Sequence, residues 1–111
     1  MIYRIAVASR DGKAVTDHFG SCRRFLLIDV DSEAGTYAFA GFRPVTPPCA
    51  NGEHTAGGMK EAAEALSDCR IVLVGKIGPP AETALRRRGV DVLEYHGLIE
   101  DALRRILQYY K

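Results

Sequence analysis

The feature that most constrains the fold is the apolar run Ile71–Val74, which has no polar residue on either of its faces. A short continuous run of branched residues is typical of a strand buried on both sides within a parallel sheet. Apolar residues at helical spacing precede it over 59–66, and two prolines open a second helix over 79–88. The sequence therefore predicts a strand–helix–strand unit with this run inside the sheet.

The amino-terminal half has a different character. Residues 5–8, 25–31 and 37–42 read as strands, and the polar segment 31–35 has hairpin-turn chemistry. After the second helix, Gly89 is a C-cap, residues 90–93 form the last strand, and residues 99–107 have the spacing of an amphipathic helix. The element order βββαβαβα predicts an α/β protein, residues 1–111, with one domain and a five-stranded mixed sheet covered by helices.

Composition excludes several classes of function. With 111 residues and a net charge of +1, the chain has no basic stripe interleaved with aromatic residues, so we expect no nucleic-acid partner. No apolar run approaches the ~20 residues of a membrane span. The first residues read as a strand and a turn rather than a signal peptide, so we expect a cytoplasmic protein without a membrane partner. Three cysteines at uneven spacing predict reduced thiols.

Four of the six Cys and His residues lie in two short non-periodic stretches that read as loops, at His18, Cys22, Cys49 and His54. Thiolates and imidazoles hold iron, zinc, copper and iron–sulfur clusters, and a loop location suits binding better than core packing. The other interpretation of His18 is a hydrogen bond to its own loop, and Cys49 follows two prolines that are ordinary in loops. Cys69, between a helix and the apolar run, is interpreted as structural.

Gly75, Lys76 and Gly78 form a second candidate site, for an anion. They follow a predicted parallel strand and precede a helix, where free backbone N–H groups and the helix dipole gather. The segment lacks a full dinucleotide or P-loop pattern. The alternative interpretation is a tight turn that needs glycine.

Several motifs occur together in one order: His18-Phe19-Gly20, then residues 25–29, then residues 66–69 and 72–78. In this order the chain resembles the dinitrogenase iron–molybdenum cofactor biosynthesis family over almost its whole length. That family includes small stand-alone cofactor carriers and the carboxy-terminal domain of the radical-SAM enzyme that builds the cofactor precursor. The resemblance implies a ribonuclease H-like three-layer α/β/α sandwich, with His18 as the leading ligand and Cys49 in a form seen in some members.

The hypothesis is a non-catalytic carrier of an iron–sulfur or iron–molybdenum-type cluster, or its precursor, that acts with metallocluster assembly proteins. No set of carboxylates converges as a two-metal nuclease requires, and no radical-SAM cysteine motif is present. The alternatives are a metal-free protein-interaction or regulatory module and, on Gly75–Pro80 alone, an anion- or nucleotide-handling enzyme.

The metal ligands expected are His18 and Cys49, with Cys22 and His54 as further cluster contacts. We expect all four at the same end of the sheet. Cys49 and His54 alone make an incomplete site, so His18, Cys22 or the second chain of a dimer would complete it. Residues 47–58 are expected to become ordered on binding cargo.

Overall fold

The computed structural model describes residues 1–45 and 56–110. The strands in these residues are β1 (Ile2–Val7), β2 (Ala14–Val15), β3 (Arg24–Asp31), β4 (Thr36–Pro44), β5 (Ile71–Val74), β6 (Asp91–Glu94) and β7 (Gly97–Leu98). The helices are α1 (Ala56–Ala65), α2 (Pro79–Arg86) and α3 (Ile99–Tyr109), and a single 3-10 turn spans Phe19–Ser21. None of the helices in these residues is long and apolar enough to cross a membrane.

Five strands form one mixed sheet in the order β4-β3-β1-β5-β6. Strands β1, β5 and β6 are parallel, whereas β3 runs antiparallel to both β1 and β4. The carboxyl ends of β1, β4, β5 and β6 therefore meet the start of β3 at one end of the sheet, which we call the carboxyl edge. The predicted mixed five-stranded α/β fold is confirmed, and Ile71–Val74 is a fully buried interior strand.

The alternation of side chains along the strands divides the core between the two faces of the sheet. One cluster joins Ala6, Phe25 and Val72 to the buried residues of α1 and α2. The other cluster joins Ile5, Ile28 and Leu73 to α3, whose buried positions follow the spacing of one helical face: Ile99, Ala102, Leu103 and Ile106. Helices thus cover both faces of the sheet.

The hairpin turn between β3 and β4 and the C-cap of α2 form as the sequence predicts. The amide of Gly35 donates to the carbonyl of Asp31 at 2.9 Å, and Gly35 adopts a positive φ of 68° that few other residues tolerate. Gly89 has a φ of 78° just beyond α2. Two features differ from the prediction: α1 begins at Ala56 rather than at residue 59, and β2 pairs with β7 in a small second sheet.

Candidate functional site

Two candidate segments from the sequence lie side by side at the carboxyl edge. The loop after β2 runs alongside the residues that follow β5, and His18 pairs with Lys76 in a single parallel bridge. The amide of Gly75 donates to the carbonyl of Asp17 at 2.9 Å, and the amide of Phe19 donates to the carbonyl of Lys76 at 2.9 Å. Residues 16–23, which we call the histidine loop, are therefore held by the backbone at the end of the interior strand β5.

Glycine at position 75 permits this close approach. A Cβ atom at Gly75 would lie 3.2 Å from the carbonyl oxygen of Asp17 and 3.8 Å from Cδ2 of His18. Gly75 is itself buried. Even the methyl group of an alanine would make the backbone of Asp17 yield by a few tenths of an ångström, so the preference for glycine is steric rather than conformational.

His18 is presented outward by the buried residue that follows it. Phe19 is almost fully buried, and its ring centroid lies 5.9 Å from that of Phe25. His18 itself is exposed and stands at the N-cap position of the 3-10 turn, where its side chain makes no capping hydrogen bond. Within the described residues the imidazole has no hydrogen-bond partner, so the loop-capping interpretation of His18 finds no support in the geometry.

Cys22 does not lie beside His18 at the surface. Its side chain is fully buried, and its Sγ donates to the carbonyl oxygen of Arg24 at 2.9 Å. Burial raises the pKa of the Cys22 thiol to about 11. Metal ligation requires a thiolate, which this environment disfavours. Cys22 lies in the loop between the 3-10 turn and β3, as expected, but its side chain packs into the core on the same face as Phe19. This burial argues against a role as a cluster contact, which stays a prediction.

Cys69 is buried next to the start of β5, as expected of a structural thiol. Burial is the largest cause that raises the pKa of this thiol, to about 12, and the neighbouring Asp68 acts in the same direction. Its environment suits packing rather than chemistry.

Cys49 and His54 lie outside the described residues, as do residues 47–55 of the segment expected to order on binding. The structure does give the point from which that segment departs. Strand β4 ends at Pro44, and the amide of Val45 donates to the carbonyl of Arg23 at 2.9 Å, at the carboxyl edge. Among residues 1–45 and 56–110, no three Cys, His, Asp or Glu side chains are grouped as metal ligands.

The predicted anion loop, residues 75–78, has fewer free backbone amides than its sequence indicated. The amide of Ile77 already donates to Oε2 of Glu94 at 3.1 Å. Pro79 and Pro80, the first two residues of α2, have no N–H group to give. The amides of Gly75 and Ile77 are therefore already engaged, and Lys76 adds an exposed ammonium to the segment.

A cavity of about 460 Å³ opens beside the histidine loop and was not predicted from the sequence. It is lined by Ser9, Arg10, Asp17, Ser21, Arg23 and Arg24. These residues come from the end of β1, the histidine loop and the start of β3, so only the antiparallel pairing of β1 with β3 brings them together. No spacing in the sequence signals such a site.

Together these observations define a small α/β protein that displays a histidine loop at the carboxyl edge of a mixed sheet. The chain belongs to the dinitrogenase iron–molybdenum cofactor family, whose model matches residues 1–109. The predicted resemblance is thereby confirmed.

Two relatives illustrate the similarity. The chain is 37% identical over 103 residues to the FeMo cofactor biosynthesis protein NifB of Chlorobaculum tepidum, with 89% of the chain and 22% of that protein covered. It is 32% identical over 101 residues to the NifB of Herbaspirillum seropedicae, with 89% and 19% covered. The chain thus spans about a fifth of the length of these relatives.

Solved structures share the fold. The crystal structure of PH0822 aligns with a TM-score of 0.66 at 24% identity, covering 96% of this chain and 89% of the other. The apo form of the orange protein from Desulfovibrio gigas aligns with a TM-score of 0.65 at 23% identity, covering 98% and 90%.

Proposed function

We propose that this protein binds and carries an iron–sulfur or iron–molybdenum-type cluster, or a precursor of one, during metallocluster assembly, and catalyses no reaction itself. The observation that carries the proposal is the exposed imidazole of His18, which has no capping hydrogen bond and stands on a loop fixed to β5. An imidazole in this state has a nitrogen lone pair available for a metal.

The proposed metal ligands are His18 and Cys49, with His54 as a further contact. The end of β4 at the carboxyl edge supports this set, because the segment that contains Cys49 departs from the edge where His18 lies. We leave Cys22 out of the set because its buried thiol bonds to a backbone carbonyl. A carrier must release its cargo, and a few exposed ligands permit release where a closed four-ligand site would not.

The proposal extends to the partners and the cellular location of the protein. Membership of the family, and similarity to proteins named for FeMo cofactor biosynthesis, support metallocluster assembly proteins as partners in the cytoplasm. The net charge of +1 supports no nucleic-acid role. A second copy of the chain could complete the ligand set, and the sheet with helices on both faces is compatible with a ribonuclease H-like classification.

The test is anaerobic reconstitution of the purified chain with iron and sulfide, followed by desalting, an absorption spectrum and assays of iron and sulfide. A carrier retains both elements and shows charge-transfer absorption in the visible range. A chain that emerges colourless, with no more iron than an unrelated protein treated identically, is not a carrier of this kind of cluster.

One observation favours the metal-free interaction module as the second candidate. The edge strand β4 leaves Tyr37, Phe39 and Phe42 exposed on the side that faces α3. Beside them lies a groove of about 480 Å³ that Leu98 also lines. Exposed aromatic residues on an edge strand are typical of a protein contact. Phe39→Ser would weaken such a contact and leave cluster retention unchanged.

A further inference from the structure

We propose that the cavity beside the histidine loop binds an oxyanion, either a free one or an oxyanion group carried by the cargo. We call this cavity the arginine pocket, defined by its lining residues Ser9, Arg10, Asp17, Ser21, Arg23 and Arg24. The inference goes beyond the proposed metal ligation by His18, because it concerns a different chemistry and a different set of side chains.

The charge of the arginine pocket is the first reason. Three arginines and a single acidic residue, Asp17, line the pocket. Asp17 is already engaged, since its Oδ1 accepts from Nε of Arg10 at 2.9 Å and from Oγ1 of Thr16 at 3.2 Å. Within residues 1–45 and 56–110, neither Arg23 nor Arg24 forms a salt bridge. Two of the three arginines that line the cavity therefore have no ionic partner among the described residues.

The placement of Arg24 is the second reason. Its Nη2 donates to the carbonyl oxygen of Arg10 at 3.2 Å, and its guanidinium carbon lies 4.1 Å above the ring of Phe42. Both contacts hold a long side chain that would otherwise sample many rotamers. An arginine fixed before binding loses less entropy when it takes up an anion.

The chemistry of the lining identifies the ligand class. A guanidinium presents parallel N–H donors that match two oxygens of a phosphate, sulfate or carboxylate. The hydroxyl of Ser21, another lining residue, donates to the carbonyl of His18 at 3.4 Å and retains acceptor capacity for a protonated anion. A cavity of about 460 Å³ has room for an anion larger than phosphate, such as a small polycarboxylate.

The position of the arginine pocket relates it to the cargo site. Asp17 and Ser21 flank His18 in the same loop, so an anion in the pocket and a metal on His18 would both contact residues 17–21. Arginine stays ionised at all accessible pH values. The pocket therefore adds electrostatic attraction for a negatively charged cargo without adding a proton-dependent step.

The experiment is a titration of cargo-free protein with inorganic phosphate, sulfate and citrate, followed by amide and arginine Nε–H chemical shifts in two-dimensional NMR. We expect saturable shifts at residues of the arginine pocket, with a dissociation constant on the order of 1 mM. Arg23→Gln removes one guanidinium and no hydrogen bond between described side chains, and should weaken binding by roughly tenfold. Arg24→Gln should act in the same direction.

One variant serves as a control. Arg87→Gln removes an exposed arginine just beyond the end of α2, far along the chain from the pocket, and should leave phosphate binding unchanged. The phosphate titration is carried out without metal, so a failure of the metal-ligand proposal would not be mistaken for a failure of this one.

The two sources of the oxyanion give different results. Binding of phosphate, sulfate or citrate that is lost in Arg23→Gln indicates a site for a free oxyanion. Absence of such binding, with a roughly tenfold loss of cluster retention in Arg23→Gln but not in Arg87→Gln, indicates an oxyanion group on the cargo. Two results would overturn the proposal. One is an anion titration that changes the chemical shifts equally in Arg23→Gln and wild type. The other is a variant Arg23→Gln that alters neither anion binding nor cluster retention.

Discussion

The carbonyl oxygen of Asp17 and the amide nitrogen of Gly75 are 2.9 Å apart, and this hydrogen bond ties the loop that displays His18 to the end of an interior strand. Residues 58 positions apart in the chain thus set the location of a single imidazole. The site is rigid on the side of His18 because Gly75 is buried and β5 is paired on both of its edges.

This contact predicts a strong effect of Gly75→Ala. The new Cβ would lie 3.2 Å from the carbonyl oxygen of Asp17, so the loop must shift. We expect a loss of about 1–3 kcal/mol in the free energy of unfolding, measured by urea denaturation, together with weaker cluster retention.

Gly78→Ala is the matched control for that variant. Gly78 has a φ of −77°, and the nearest atom to its new Cβ would be Cδ of Pro80 at 3.8 Å. An alanine fits there without a clash, and because Gly78 is the N-cap of α2, where glycine is favoured over alanine, the cost should stay below about 1 kcal/mol. Equal destabilisation by the two substitutions would show that loop flexibility, and not the approach of Asp17, explains the glycine.

The two buried thiols should be inert in the native protein. Cys22 and Cys69 are both buried, and burial raises the pKa of the thiols to about 11 and about 12. Since the thiolate is the reactive form, neither should react with iodoacetamide at pH 8 until the chain unfolds. Mass mapping of alkylated peptides measures this, and rapid native labelling of Cys22 would return it to the set of candidate ligands.

The same thiols predict an alkaline limit to stability. A thiol whose pKa is higher in the folded state than in the unfolded chain favours folding below the unfolded pKa, and the benefit is lost as pH rises through the folded pKa. From the ordinary value of 9.0 to the raised values of about 11 and about 12, the free energy of unfolding should fall steadily. Cys69→Ala should make the free energy of unfolding fall less steeply with pH over this range. A pH dependence identical to that of the wild type would show that the Cys69 thiol does not contribute to it.

An ion pair between β4 and the turn that precedes β5 predicts an acid limit to stability. Arg43 on β4 donates to both carboxylate oxygens of Asp68, at 2.6 and 2.9 Å. These bonds lower the pKa of Asp68 to about 2. A depressed carboxyl pKa favours folding above the unfolded value of about 3.9, and this stabilisation is lost as pH falls towards 2.

Asp68→Asn should therefore weaken the acid dependence of stability between about pH 4 and pH 2. The cost at pH 7 should be modest, about 0.5–1 kcal/mol, because the Asp68 side chain is 48% exposed and solvent screens the pair. Asp101→Asn, which removes a carboxylate 3.6 Å from Arg104 on the exposed part of α3, is the control that should keep the wild-type acid transition. Denaturant unfolding at several pH values measures both.

The sequence predicted the sheet well because each strand carries a strong local signal. The run at β5 is apolar on both faces, and the turn between β3 and β4 has the Asp and Gly that its geometry uses: Asp31 Oδ1 accepts from the amides of Glu33 and Ala34 at 3.1 Å. Local propensity and tertiary structure agree at these places. Strands β2 and β7, at two residues each, are too short to produce any periodicity.

The candidate site was harder to predict because its geometry comes from contacts distant in sequence. Cys22 reads as a loop residue, yet the 3-10 turn and the burial of Phe19 turn its thiol into the core. The amide of Ile77 reads as free, yet Glu94 from the neighbouring strand accepts its proton. The exposure of His18 agrees with the expectation from its loop, and its role as a ligand stays a prediction.

The most direct test of the account compares cluster retention by the wild type, His18→Ala and Cys49→Ser under anaerobic conditions. After reconstitution, each is challenged with increasing chelator, and bound iron is measured. His96→Ala is the control, since His96 is an exposed histidine just beyond β6 to which no ligand role is assigned. We predict that His18→Ala and Cys49→Ser lose cluster at least about tenfold more readily than wild type while their thermal unfolding is unchanged. Retention equal to wild type in His18→Ala would contradict the central claim.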